Sequence, residues 1–142
     1  MKSIVEVDIN KPQREVAALF ADPANNPKWM HDLDHYEPIT GNQGLEGSKY
    51  RLVPKKGKMI FVVTVLERKP DKLKLGLDAS NVHVSVNGEL KSLSSEMTRL
   101  TSEEIFTFKG LFSKIFGLFA GNSIKKVHRK HIEEFKKFAE SA

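Results

Sequence analysis

The sequence contains no cysteine, so disulfide bonds and thiolate-bound zinc are excluded. It also lacks a long hydrophobic run. The most apolar segment, residues 111–121, carries Lys114 and falls short of the roughly 18 apolar residues that a membrane-spanning helix needs. The first residues, MKSIVEVDINKP, have neither the apolar run nor the small-residue cleavage site of a signal peptide. From these absences we expect a cytoplasmic protein.

The composition is typical of an ordinary globular protein. The chain has 142 residues, of which 39% are hydrophobic and 29% charged, so it can bury a core without covalent cross-links. We therefore expect one domain over residues 1–142. The net charge is +5, but acidic residues are interspersed with the basic ones through most of the chain, which favours a solvated surface over a nucleic-acid partner.

Motifs for common cofactors are missing. The segment GNQGLEG at 41–47 does not lie between a strand and a helix, so its glycines indicate turns and not a dinucleotide loop. There is no P-loop and no GxSxG motif. The histidine pairs His31/His35 and His128/His131 lack an HExxH context, and His131 is interpreted as a core or boundary residue. We predict no cofactor and no metal.

The first thirty residues predict a strand followed by two short helices. Alternating apolar residues indicate a strand over 3–9. Asn10 is the predicted N-cap of a helix that has Pro12 in its first turn and ends near Phe20. The segment 21–30, with Pro23 and Pro27, indicates a second short helix or turn.

Residues 34–108 predict six strands in sequential antiparallel hairpins, because the connections are too short for parallel crossovers. Asn87-Gly88 is a strong hairpin signal, but one alternating apolar phase continues across it, so Gly88 is predicted to be a bulge or close backbone approach within a strand. The predicted strands cover 34–40, 47–54, 58–68, 72–78, 82–92 and 97–108.

The last segment, about 111–139, predicts one long helix. Its apolar stripe consists of Ile124, Val127, Phe135 and Phe138, and basic residues occupy most of the remaining surface. A helix of this length with one apolar stripe needs a large surface to lie on, and the sheet provides it. The order strand, two helices, six strands, long helix therefore indicates an α+β fold.

This order resembles the START-related, or SRPBCC, superfamily, in particular its polyketide cyclase/dehydrase and lipid-transport branch. The resemblance lies in the opening segment 4–30, with Trp29 before the second strand, and in the closing segment 97–140, where Lys109-Gly110 leads into the helix. It implies a helix-grip fold, a curved seven-stranded antiparallel sheet around a long C-terminal helix, with two short helices after the first strand. Members bind lipids, sterols, polyketides or plant hormones, and some catalyse cyclisation or dehydration.

Strand alternation predicts which side chains face the interior cavity that this geometry implies. The predicted inward phases include Tyr50 and Leu52, then Met59 to Val65, Leu73 to Leu77, Val82 to Val86 and Ser102 to Phe108, taking every second residue. The residues that we expect to touch a ligand are Trp29, Tyr50, Phe61, Val63, Leu75, Val84, Glu104, Phe106, Phe116, Phe119 and Ile124.

Glu104 is the candidate for chemistry. It shares the inward phase of Phe106 and Phe108, so its carboxyl group is predicted to face an apolar cavity with a raised pKa. Such a group could act as an acid or base, or bind a polar group of a ligand.

Three functions remain open at this point. The leading one is a carrier or sensor that binds a small hydrophobic molecule, such as a lipid or polyketide, without catalysis. The second is a cyclase or dehydratase using Glu104 with Tyr50 or His35. The third is a protein-interaction domain with a vestigial cavity. The basic cluster KKVHRKH at 125–131 indicates a solvated helix face or a surface for transient membrane contact. Monomer and homodimer are both compatible with the apolar residues Phe112, Phe116 and Phe119.

Overall fold

The computed structural model describes residues 1–56 and 59–142, apart from the side chains of residues 111–120. The order of its elements is the predicted one: a strand, two short helices, six strands and a long helix. In chain order they are β1 (Lys2–Ile9), α1 (Gln13–Ala21), a 3₁₀ helix (Pro23–Asn25), α2 (Asn26–Trp29), β2 (Leu33–Thr40), β3 (Lys49–Pro54), β4 (Phe61–Lys69), β5 (Lys72–Asp78), β6 (Val82–Ser94), β7 (Met97–Phe108) and α3 (Leu111–Ser141).

The strands form one seven-stranded antiparallel sheet in the order β1-β7-β6-β5-β4-β3-β2. Strands β2 to β7 are therefore sequential hairpins, and β1 returns to pair with the last strand. Helix α3 packs against β1, β7 and α2, on the concave side of the sheet. The predicted helix-grip architecture is confirmed. Among the described residues, no helix combines the length and apolar character that crossing a membrane requires.

Two local predictions are wrong. Asn10 does not cap α1: Pro12 occupies the N-cap position, and the backbone N–H of Asn10 instead donates to Glu140 Oε2 at 2.8 Å. Strand β4 begins at Phe61, and Met59, which was predicted to face inward, is 47% exposed. The first error arises because a carboxylate from the far end of the chain reaches the start of α1. Residue 58, the first of the predicted strand, lies outside the described residues.

Gly88 lies inside a continuous strand, as predicted. It pairs with Leu73 on β5 and with Ser102 on β7, and the ladder is regular at this point. A Cβ atom at Gly88 would lie 2.8 Å from Cε2 of Phe20, which is closer than real Cβ contacts allow. The close approach is therefore made by a ring on α1, which packs directly against the backbone of β6.

Helix α3 turns a slightly different face to the sheet from the one that its apolar residues predicted. Val127 is 50% exposed, whereas its neighbour His128 is buried. The buried positions are 128, 132, 135 and 139, a spacing that matches the helical repeat. Val127 is about 100° around the helix from His128, which places it at the solvent edge of this stripe.

An aromatic cluster joins the short helices to α3. The ring of Phe135 is fully buried, and its centroid lies 4.9 Å from that of Phe20 and 5.3 Å from that of Trp29, both in edge-to-face geometry. Phe20 and Trp29 stack on each other with centroids 6.0 Å apart. Edge-to-face and stacked pairs of this kind stabilise a core beyond the burial of their area.

Candidate functional site

A cavity lies between the concave face of the sheet, helix α2 and helix α3. The volume of the cavity within the described residues is about 60 Å³. Most of the lining is aliphatic or aromatic, and the polar groups are few. The lining consists of Phe20, Asn26, Trp29, Met30, Tyr50, Leu52, Val63, Leu73, Leu75, Leu77, Val86, Ser102, Glu104, His131 and Ile132.

The structure brings five of the predicted ligand residues together in this lining: Trp29, Tyr50, Val63, Leu75 and Glu104. Three others, Phe61, Val84 and Phe106, belong to an adjacent apolar cluster on the same sheet. That cluster meets the cavity through Leu75, Leu77 and Val86, which belong to both.

The remaining predicted residues lie on α3. Ile124 is half-buried and is not part of the described lining. Phe116 and Phe119 fall among the residues whose side chains lie outside the description. Whether any of the predicted residues contacts a ligand stays a prediction.

Sequence reasoning missed several lining residues on the helical side. Asn26 and Met30 lie in and directly after the four-residue helix α2, which is too short to show a periodic pattern. His131 and Ile132 share the inward stripe of α3, and a helical repeat that starts from Phe135 would have identified Ile132.

Trp29 is the most unusual donor in the cavity. The residue is only 7% exposed, and its indole Nε1–H is buried with no acceptor among the residues that the structure describes. Buried donors almost always have a partner, so an orphan indole N–H in a cavity lining indicates a place for an acceptor. Tyr50, by contrast, is joined to Asn26 by a side-chain hydrogen bond, and burial raises the pKa of its phenol above the ordinary range.

Strand register places Glu104 in the cavity. Ser3 on β1 pairs with Glu104 on β7, and Val5 pairs with Ser102, so these side chains share the face that meets α3. Burial raises the pKa of Glu104 to about 7, because the ionised carboxylate loses hydration there. The inward orientation predicted for Glu104 is the observed one.

His128 forms a buried bridge next to Glu104. Its Nε2 lies 2.9 Å from Ser102 Oγ, and its Nδ1 lies 2.8 Å from Ser3 Oγ. Burial lowers the pKa of His128 to about 4, and electrostatic repulsion from His131 and Arg129 lowers it further. The ring is therefore neutral at pH 7, with one nitrogen donating and the other accepting. Through these two contacts, His128 on α3 joins Ser3 on β1 to Ser102 on β7.

Two histidine–carboxylate contacts hold the segment after α2 against α3. His131 Nε2 lies 2.9 Å from Asp32 Oδ1, and His31 Nε2 lies 3.2 Å from Glu134 Oε2. Within the part of the chain that the structure describes, no group of three His, Cys, Asp or Glu side chains could hold a metal ion. His35, the alternative predicted partner of Glu104, is exposed and contacts Asp34 and Glu37. It is not part of the described lining.

No protein-family model matches the sequence, and no curated protein is significantly similar to it. Solved structures, in contrast, share its fold. A START superfamily protein from Mycobacterium smegmatis superimposes with a TM-score of 0.74 at 14% identity, over 99% of this chain and 94% of that chain. The protein Ara h 8.0201 gives a TM-score of 0.74 at 13% identity, over 100% of this chain and 99% of that chain.

An enzyme has the same architecture. Norcoclaurine synthase from Thalictrum flavum, solved in complex with dopamine and hydroxybenzaldehyde, superimposes with a TM-score of 0.66 at 11% identity. The match covers 97% of this chain and 86% of that chain. With identities this low, the comparisons establish the architecture and leave the ligand and activity to be inferred from the cavity. The chain has a helix-grip fold, which it shares with these solved structures.

Proposed function

We propose that the protein binds a small, mostly apolar molecule in this cavity and acts in the cytoplasm as its carrier or sensor. The observation that carries the proposal is the buried Nε1–H of Trp29, which lacks an acceptor in a lining that is otherwise mainly apolar. Leaving such a donor unpaired costs about 1–3 kcal/mol, and an acceptor atom on a ligand would recover this cost.

The volume sets a limit on the ligand. Pockets that enclose drug-sized molecules measure about 300–1,000 Å³, and an engineered cavity of about 150 Å³ binds benzene. The space enclosed here, about 60 Å³, is smaller. A ligand must therefore be small, or enter with one end only, or displace flexible lining side chains such as Met30.

Native mass spectrometry of protein purified gently from its own host, with extraction of any bound molecule, tests the proposal. A co-purifying apolar compound would support binding and identify its class. Because Trp29 is the only tryptophan in the chain and lines the cavity, its fluorescence reports occupancy directly. An empty protein whose Trp29 emission ignores a panel of apolar compounds would favour the protein-interaction alternative.

An enzymatic role is the second candidate, and Glu104 is the observation that favours it. A carboxyl group with a pKa of about 7 can both donate and accept a proton near neutral pH, as a cyclase or dehydratase requires. The matched variants Glu104→Gln and Glu103→Gln separate the two functions. Glu103 pairs with Lys2 across the strands and is not part of the described lining. If Glu104→Gln still binds the co-purified compound but no longer converts it, while Glu103→Gln does both, the protein is an enzyme.

A further inference from the structure

The described cavity lining has an acidic side chain without a basic one to balance it. Its described residues include one carboxyl group, that of Glu104, and no lysine or arginine. The imidazole of His131 is already engaged by Asp32 at 2.9 Å. A carboxylate ligand would therefore be buried beside another carboxyl group with no lysine or arginine in the described lining to balance its charge, which is strongly unfavourable.

Two polar groups of the lining make no hydrogen bond to the described residues, and both are able to donate. The Nε1–H of Trp29 has no acceptor within the described part of the chain. The Glu104 carboxyl makes no hydrogen bond to the residues that the structure describes, and its contact with His128 Nε2, at 3.9 Å, is too long for one. His128 Nε2 already forms a hydrogen bond with Ser102 Oγ. In its protonated form, the carboxyl adds a second donor.

We propose that the cavity selects a ligand with an uncharged hydrogen-bond acceptor, a carbonyl oxygen, over a carboxylate or an amine. The indole N–H of Trp29 donates the hydrogen bond to this carbonyl oxygen. The inference rests on the proposed function and names the chemical class of its ligand.

An amine is the main competing class. A protonated amine would pair with the ionised form of Glu104, but its N–H groups only donate, so the indole N–H of Trp29 would stay unpaired. A carbonyl oxygen, in contrast, accepts a hydrogen bond from the indole N–H. The carbonyl thus pairs the donor that the amine leaves unpaired.

Four single-ring probes of similar size test the selection. Acetophenone carries the carbonyl, isopropylbenzene has the same shape without an acceptor, benzoate is anionic, and benzylamine is cationic. Their binding at pH 7 is followed in ¹H–¹⁵N NMR spectra, where the single indole N–H signal of Trp29 reports on its own hydrogen bond. We expect acetophenone to shift this signal downfield and to bind about tenfold more tightly than isopropylbenzene. Benzoate and benzylamine should bind more weakly than both.

The variant Trp29→Phe keeps an aromatic ring and removes the donor. Its ratio of acetophenone to isopropylbenzene affinity should fall from about ten to about one, a readout that a general loss of packing would not change. Glu104→Gln retains a donor and should preserve the preference for acetophenone, with Glu103→Gln as the matched control.

The outcomes separate this inference from the function on which it rests. If isopropylbenzene binds as tightly as acetophenone, or if benzoate or benzylamine binds tightest, the inference is wrong and the apolar cavity remains a binding site. If none of the four probes binds and no apolar compound co-purifies with the protein, the proposed function fails and the inference fails with it; a co-purifying carboxylate or amine would overturn the inference alone.

Discussion

His128 Nε2 lies 3.9 Å from Glu104 Oε2, yet at neutral pH the two groups do not form an ion pair. Burial raises the pKa of Glu104 to about 7 and lowers that of His128 to about 4, so burial favours the uncharged form of each group and leaves His128 neutral at pH 7. The two shifts have opposite effects on stability as the pH changes. In the wild-type protein they largely cancel between about pH 4.5 and 6.5, and single variants should reveal each of them.

Ionisation of Glu104 should lower the stability of the wild-type protein as the pH rises, and Glu104→Gln should abolish this effect. Because the folded-state pKa of Glu104 lies above its unfolded value, the native state binds the proton more tightly, and stability falls between about pH 4.5 and 7. The free energy of unfolding of the variant, relative to wild type, should increase by about 3 kcal/mol from pH 4 to pH 8. Urea denaturation across this range measures it, with Glu103→Gln as the control. A constant difference would show that the pKa of Glu104 is ordinary.

His128→Ala should destabilise the protein strongly at pH 7 and less in acid. It leaves two buried hydroxyl groups, of Ser3 and Ser102, without their partner and opens a cavity, at a cost of about 3–5 kcal/mol. The folded-state pKa of His128 is depressed, so wild-type stability falls as the pH drops from about 6.5 to 4.

The gap between wild type and His128→Ala should therefore narrow by about 3 kcal/mol over that interval. His83→Ala serves as the control, because His83 is a partly exposed histidine paired with Asp78 and should cost less than about 1 kcal/mol. A gap that does not depend on pH would contradict the assignment of His128 as a neutral buried bridge.

Gly88→Ala should cost about 1–3 kcal/mol, because the added Cβ meets the Phe20 ring at 2.8 Å. Gly76→Ala is the matched control in the neighbouring strand. Its Cβ would meet its nearest neighbours at 3.5 Å, an ordinary contact, so the change should be neutral or slightly stabilising. In a Phe20→Leu background the cost of Gly88→Ala should shrink, which a double-mutant cycle of unfolding free energies measures. Equal costs in both backgrounds would rule out the ring as the cause.

Phe135→Ala should cost about 3–5 kcal/mol and shift the emission of Trp29 to longer wavelength. The ring of Phe135 is fully buried between those of Phe20 and Trp29, so its removal admits water to the indole. Phe138→Ala, at the partly buried edge of the same cluster, should have smaller effects on both unfolding and emission. An unchanged spectrum in Phe135→Ala would place the indole outside the cluster.

Most of the architecture could be predicted from local patterns. The bounds of β5 and β7 agree with the observed strands, because alternation of apolar residues reflects the burial of one sheet face. Gly88 was assigned correctly to a strand interior on the same principle. The inward orientation of Glu104 followed from its phase relative to Phe106 and Phe108, a relationship contained within five consecutive residues of one strand.

Other features depend on segments that are distant in the sequence. Glu140 meets the start of α1, Phe20 covers Gly88, and His128 joins Ser3 to Ser102. Ser3 pairs with Glu104, and Ser102 pairs with Val5, so the two serines lie at diagonal positions on the face that meets α3, where His128 contacts both hydroxyl groups. The apolar residues of α3 alone favoured Val127 over His128.

The sequence by itself determined the order of the elements, the phase of the strands and the absence of thiolate chemistry, because these depend on residue type and short-range spacing. The tertiary structure decided which polar groups are buried without a partner. The unpaired N–H of Trp29 and the shifted pKa values of Glu104 and His128 arise because the sheet, α2 and α3 together exclude water from these groups. Hydration and dielectric surroundings are set by that assembly, and so are the pKa values and the unpaired donor on which a ligand would act.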